Sequence, residues 1–197
     1  MKLTKLIVDV SKWQGIMDWP KCEAAGAKGA YIKATDGLAV DPRFAANWAG
    51  AELMPRGAYH FYRPELSASG QVKTFLQILD GDWGEMPPAL DVERVNATVA
   101  VLRAGIRLWL QEIEKATGLR PRIYTRASLW DPALGNWSVA RQHELWVADY
   151  RGYITPDIPL PWHEWTMYQF SADKNGRGHE FGAQSSDIDL SWLRAEI

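Results

Sequence analysis

The sequence predicts an α/β protein folded as an irregular β/α barrel, with eight strands and about five helices, the later strands lacking helices. Three observations lead there. Short apolar segments alternate with amphipathic helical segments through the first two thirds of the chain. The helical pattern then stops while strand-like segments continue. Acidic residues recur at the C-terminal ends of the strand segments, the end at which such barrels carry their chemistry. A complete eightfold barrel takes roughly 250 residues; at 197 residues this chain has no room for eight helices. An open doubly wound sheet is the alternative with the same order of elements.

Leu6–Val10 reads as the first strand. Asp18 then caps a helix with Pro20 in its first turn, running toward Ala25. Ala30–Ala34 is the second strand, and Asp41-Pro42 opens a second helix toward Ala51 by the same logic. Gly57–Tyr62 is the third strand. Val72, Phe75, Leu76 and Leu79 mark a helix over 68–79. Pro88–Val92 is the fourth strand. Val99, Leu102, Ile106, Leu110 and Ile113 line one face of the longest helix, 98–116, which Gly118 ends. Arg122–Thr125 and Leu145–Ala148 are the fifth and sixth strands. Residues 151–164, with Pro156, Pro159 and Pro161, read as a long loop. Trp165–Phe170 is the seventh strand, 173–178 a turn, and Asp187–Leu190 the last strand. The whole of 1–197 reads as one domain.

Composition narrows the function. Hydrophobic residues make up 47% and charged residues 23%, which is ordinary globular chemistry. A net charge of -2 gives no global attraction to nucleic acid, whose binding rests on phosphate neutralisation. The single cysteine, Cys22, excludes an intrachain disulfide and a CxxC metal site; it reads as a small buried hydrophobe. The opening MKLTKLIVDV is broken by Asp9 before it reaches the length of a signal-peptide core, and no run is long enough to span a membrane. The chain is therefore expected to be made in the cytoplasm without a signal peptide. The 11 tryptophans suit either a Trp-rich core or an aromatic groove that stacks on sugar faces. His60 reads as a barrel-lining or core histidine; His143, His163 and His179 read as peripheral. There is no Walker loop, no dinucleotide turn and no GxSxG elbow.

The acids carry the chemistry. Asp9 ends the first strand, Asp91 and Glu93 the fourth, Asp149 the sixth, and Asp187 and Asp189 lie at the last. Asp91 and Glu93 are two apart, so in a strand they share a face, with Cα atoms about 6.6 Å apart. Two such carboxyls do not ionise independently: one keeps its proton near neutrality while the other stays charged. A proton donor beside a carboxylate is what glycoside hydrolysis needs. Two alternatives remain open on the residues alone: exposed acids at a strand end, or a divalent-metal site built from Asp91, Glu93, Asp187 and Asp189.

Several segments together resemble glycoside hydrolase family 25, the muramidases of bacteria and their phages. LIVDVSKWQGIMDW is similar to the family's first strand and its Ser-x-Trp-Gln-Gly loop. GAYHFYRP, PPALDVE, IYTRASLW, LWVADY and WTMYQFS resemble successive later strands, and DIDLSWL the closing one. The resemblance implies a groove at the strand C-termini with Glu93 as general acid. It implies that Asp91 supports an intermediate formed by the substrate's own N-acetyl group, and that Asp9 and Asp189 complete a four-acid cluster. Tyr62, Tyr124, Trp146, Tyr168 and Gln169 would line the groove, with Asp187 an additional acid beside Asp189, the favoured family acid. No metal and no cofactor are implied. The expected partner is the glycan strand of bacterial peptidoglycan, met by a monomer that neither binds nucleic acid nor inserts into membrane. Access to the wall would come through a separate export or lysis protein, as for a phage endolysin. A glycan-binding module that has lost its chemistry, and a metal-dependent hydrolase, are the competing functions.

Overall fold

The computed structural model describes residues 4–172 and 174–194; Asp173 of the expected 173–178 turn, and residues 1–3 of the opening segment, lie outside them. Among the described residues, eight strands close into a barrel. They are β1 (Thr4–Val10), β2 (Ala30–Asp36), β4 (Arg56–Phe61), β5 (Ala89–Asp91), β6 (Arg122–Thr125), β7 (Leu145–Ala148), β8 (Met167–Ser171) and β9 (Asp189–Arg194). Around the ring they follow chain order, and β9 returns to β1. A two-residue strand, β3 (Ala39–Val40), pairs only with the end of β2.

Neighbours from β1 to β8 run parallel. β9 is antiparallel to both β8 and β1. The cause is the connection: a parallel return needs a crossover, usually a helix, and the described residues between β8 and β9 form no α-helix.

The five helices found among the described residues are α1 (Trp19–Ala24), α2 (Phe44–Gly50), α3 (Ala68–Leu79), α4 (Val99–Thr117) and α5 (Ala127–Ala133). Asp18 caps α1 through the Lys21 N–H as the sequence predicts, and Thr98 and Gly118 bound α4. Asp41 does not cap α2, which starts at Phe44; its carboxylate instead accepts the backbone N–H groups of Arg43 and Lys12. The sequence did not announce α5, a seven-residue helix with Pro132 in its interior.

Each strand presents alternate residues to two cores. Ile7, Tyr31, Ala89, Trp146 and Met167 fill the barrel. Val8, Ile32, Leu90, Ile123 and Val147 face outward into the layer beneath the helices, where they meet Phe75, Ile106, Trp109 and Leu110. Burying each large side chain contributes about 1.5–3 kcal/mol. His60 belongs to that outer layer: it stacks on Trp109 and bonds Thr35 and Gln71. His143 is also buried, bonded to the Pro121 carbonyl, and so is not peripheral. Cys22 is buried as expected.

Candidate active site

The parallel strands bring their C-terminal ends together, and the antiparallel β9 brings its first residue to the same end. Asp9 near the end of β1 therefore faces Asp189 at the start of β9 as a direct pairing partner. Asp91 ends β5, flanked by Phe61 on β4 and Tyr124 on β6. Asp9, Asp91, Glu93 and Asp189 line one open groove, walled by Trp13, Tyr59, Phe61 and Tyr124. All four acids proposed as catalytic from the sequence thus meet.

Asp91 is buried, and its Oδ1 accepts no hydrogen bond from the described residues. Burial raises its pKa well above the ordinary carboxyl value, and the charges of Glu93 and Asp9 raise it further; Lys33 acts in the opposite direction. Glu93, two residues on, is partly exposed toward the groove. The pair therefore holds a proton to higher pH than a lone carboxyl.

Gln169 organises the other acids. Its amide Nε2 donates to Asp9 at 2.8 Å and Asp189 at 3.4 Å. Its Oε1 accepts from the hydroxyls of Tyr124, at 2.7 Å, and Tyr150. Burial, and then the charge of Glu93, keeps the Tyr124 hydroxyl protonated, so it remains a donor. Trp146 lies beneath, edge-on to Tyr124 and bonded to Ser191.

Three expected lining residues fall elsewhere. Tyr62 follows Ala58 and His60 in the two-residue alternation and so points outward; its hydroxyl rests against Gly105 of α4. Tyr168 sits between the inward Met167 and Gln169, points outward, and donates to the carbonyls of Asp149 and Tyr153. Asp187 precedes β9 and accepts the Gly176 N–H rather than facing the groove. Asp149 too is structural: Arg151 grips its carboxylate and holds its pKa at about 2.

Other lining residues were missed. Trp13 is 71% exposed on a short 3-10 turn, Lys12–Gln14, closed reciprocally by Ser11 and Gln14. Gly15 then takes φ +70, and a side chain there would meet Gln184, which ties this turn to the last loop. Lys33, Tyr59 and Phe61 also line the groove. Their signal was available, since 31, 33, 59 and 61 are inward positions by the same alternation. Among the described residues, no group of three or more His, Cys, Asp or Glu has an arrangement suited to a metal ion, and no helix is long and apolar enough to cross a membrane.

Residues 8–179 match the family model for glycosyl hydrolases family 25. The chain belongs to that family. It is 36% identical over 167 residues to the protein YegX of Escherichia coli strain K12, covering 80% of this chain and 61% of that one. It is 34% identical over 198 residues to lysozyme M1 of Streptomyces globisporus, covering 92% and 65%. The chain thus spans less than two thirds of the length of these relatives. A bacterial lysozyme from Streptomyces coelicolor shares its fold with a TM-score of 0.84 at 28% identity, covering 98% of this chain and 94% of that one. The irregular α/β barrel is thus that of family 25.

Proposed function

We propose that the chain is an N-acetylmuramidase, hydrolysing the β-1,4 bond between N-acetylmuramic acid and N-acetylglucosamine in bacterial peptidoglycan. The observation that carries this reading is the buried Asp91 beside the more exposed Glu93 in an aromatic-walled groove. Relatives that carry the names lysozyme and muramidase support it.

In the empty groove, burial favours the proton of the pair on Asp91. The 2-acetamido group of a bound sugar changes that balance. Its N–H donates to Asp91 Oδ1, which accepts no hydrogen bond from the described residues. A hydrogen bond to the charged form favours it, and the proton resides on Glu93. Glu93 then protonates the glycosidic oxygen as the bond to C1 breaks. The acetamido carbonyl oxygen, aligned by Asp91, bonds to C1 from the opposite face. Water then opens the resulting ring, returning its proton to Glu93. Asp9 and Asp189, held by Gln169, stabilise the positive charge that develops. Aromatic faces such as Trp13 hold the sugars against the acids. No metal or cofactor enters this sequence.

Release of soluble fragments from purified peptidoglycan tests the assignment. Glu93→Gln and Asp91→Asn should each lose at least about a hundredfold in rate while keeping the wild-type circular dichroism. Near-wild-type release by folded Glu93→Gln would overturn it.

A further inference from the structure

β2 places one cation among the acids. Lys33 lies on the inward face of the strand, two residues beyond Tyr31, and among the described residues it is the single Lys or Arg lining the groove that holds Asp9, Asp91, Glu93 and Asp189. Its side chain is 12% exposed. Its ammonium sits 4.6 Å from the centre of the Phe61 ring, 5.8 Å from that of Tyr59, and 3.7 Å from Asp36 Oδ2. Asp36 is already engaged by Arg63 through two hydrogen bonds, of 2.5 and 3.0 Å. Two cations, Lys33 and Arg63, thus share the Asp36 carboxylate.

We propose that Lys33 is a positioning residue for the hydrolysis: its ammonium, fixed by Phe61 and Asp36, favours the charged form of Asp91 in the sugar-bound groove, where Glu93 carries the proton. This inference rests on the muramidase reading for its role in catalysis, although the electrostatic effect exists without it. The charged groups that act on Asp91 are Glu93 beyond its own strand, Asp9 from β1, Lys33 and Asp36 from β2, and Arg63 just beyond β4. Phe61 and Tyr124 flank it from β4 and β6, and Asp189 shares the groove from β9. Glu93, Asp9 and Asp36 oppose ionisation of Asp91; Lys33 favours it, as does the more distant Arg63.

Two measurements on the whole chain test this, each with Lys33→Met and Lys33→Arg. The first is the pH profile of kcat/KM on peptidoglycan. In Lys33→Met both limbs should move up by about one pH unit, the scale expected for loss of a neighbouring charge, and Lys33→Arg should restore them. Unmoved limbs with only a raised KM would make Lys33 a substrate contact, and unmoved limbs with only a lowered melting temperature would make it structural; either overturns the proposal. The second is the carboxyl carbon resonance of Asp91 in the free protein, assigned by its loss in Asp91→Asn. Its midpoint should rise in Lys33→Met; an unmoved midpoint overturns the proposal. A midpoint that rises in Lys33→Met, together with a wild-type chain that cleaves no glycan, would instead sink the muramidase reading, and with it the catalytic half of the proposal.

Discussion

Replacing Gly105 by alanine distinguishes two places for Tyr62. An alanine in a helix interior is ordinarily worth up to about 1 kcal/mol over glycine. Here a Cβ on Gly105 would stand 1.9 Å from the Tyr62 hydroxyl and 3.1 Å from its Cζ. Tyr62 is buried and its ring is rigid, so strand β4 and helix α4 must separate to admit the methyl group. Overpacking of this kind costs about 1–3 kcal/mol, enough to exceed the helix gain. At about 2–4 °C per kcal/mol for a chain of this size, Gly105→Ala should melt several degrees below wild type. Below its melting temperature it should hydrolyse peptidoglycan at the wild-type rate, because Tyr62 is outside the groove. Adding Tyr62→Phe removes the hydroxyl and should recover part of the loss, a coupling that a double-mutant cycle reads directly. A Gly105→Ala chain more stable than wild type would refute the outward placement of Tyr62.

Other predictions follow from the same geometry. Asp91→Asn should raise the melting temperature at pH 7 while abolishing activity. Because its folded pKa is raised, the native Asp91 begins to cost stability as pH rises through the unfolded carboxyl value and reaches its full cost above the folded one. The gain should therefore shrink toward zero below about pH 4. His60 works in the opposite direction: burial lowers its pKa from 6.5 to about 4. The stability it contributes is complete above pH 6.5 and falls by about 3 kcal/mol as pH drops to 4. Urea unfolding across that range should show a shallower acid slope in a folded His60→Gln variant. Gln169→Leu leaves Asp9 and Asp189 facing each other without their shared donor. It should reduce kcat by about 10–100-fold and stability by about 1–3 kcal/mol, read by turnover and melting.

The sequence made the barrel legible because α1, α3 and α4 carry side-chain caps and the strands are short apolar runs; the strand at 145–148 and the helix at 68–79 fall where expected. It did not reveal the direction of β9, which depends on how an irregular loop returns rather than on any residue in the strand. The four acids were legible as strand-end residues, whether the strand ends there, as at Asp91, or starts there, as at Asp189. Tyr62 and Tyr168 were misplaced because aromatic character was weighed above the alternation that sends His60 and Tyr62 outward and Tyr59 and Phe61 inward. Lys33 was overlooked although a lysine inside the apolar run Ala30–Ala34 already conflicts with burial on both faces. Asp149 shows the limit of reading acids alone, since its partner Arg151 and the backbone of Asp157 are brought to it only by the fold.

The most direct test of the central claim is the identity of the sugar at each newly formed reducing end. Purified peptidoglycan would be digested with the whole chain, reduced with borohydride and resolved by mass spectrometry, with Glu93→Gln alongside. The account predicts reduced muramic acid at the new ends, absent from the variant digest. Reduced glucosamine at those ends, or muramic acid ends produced equally by the variant, would contradict it.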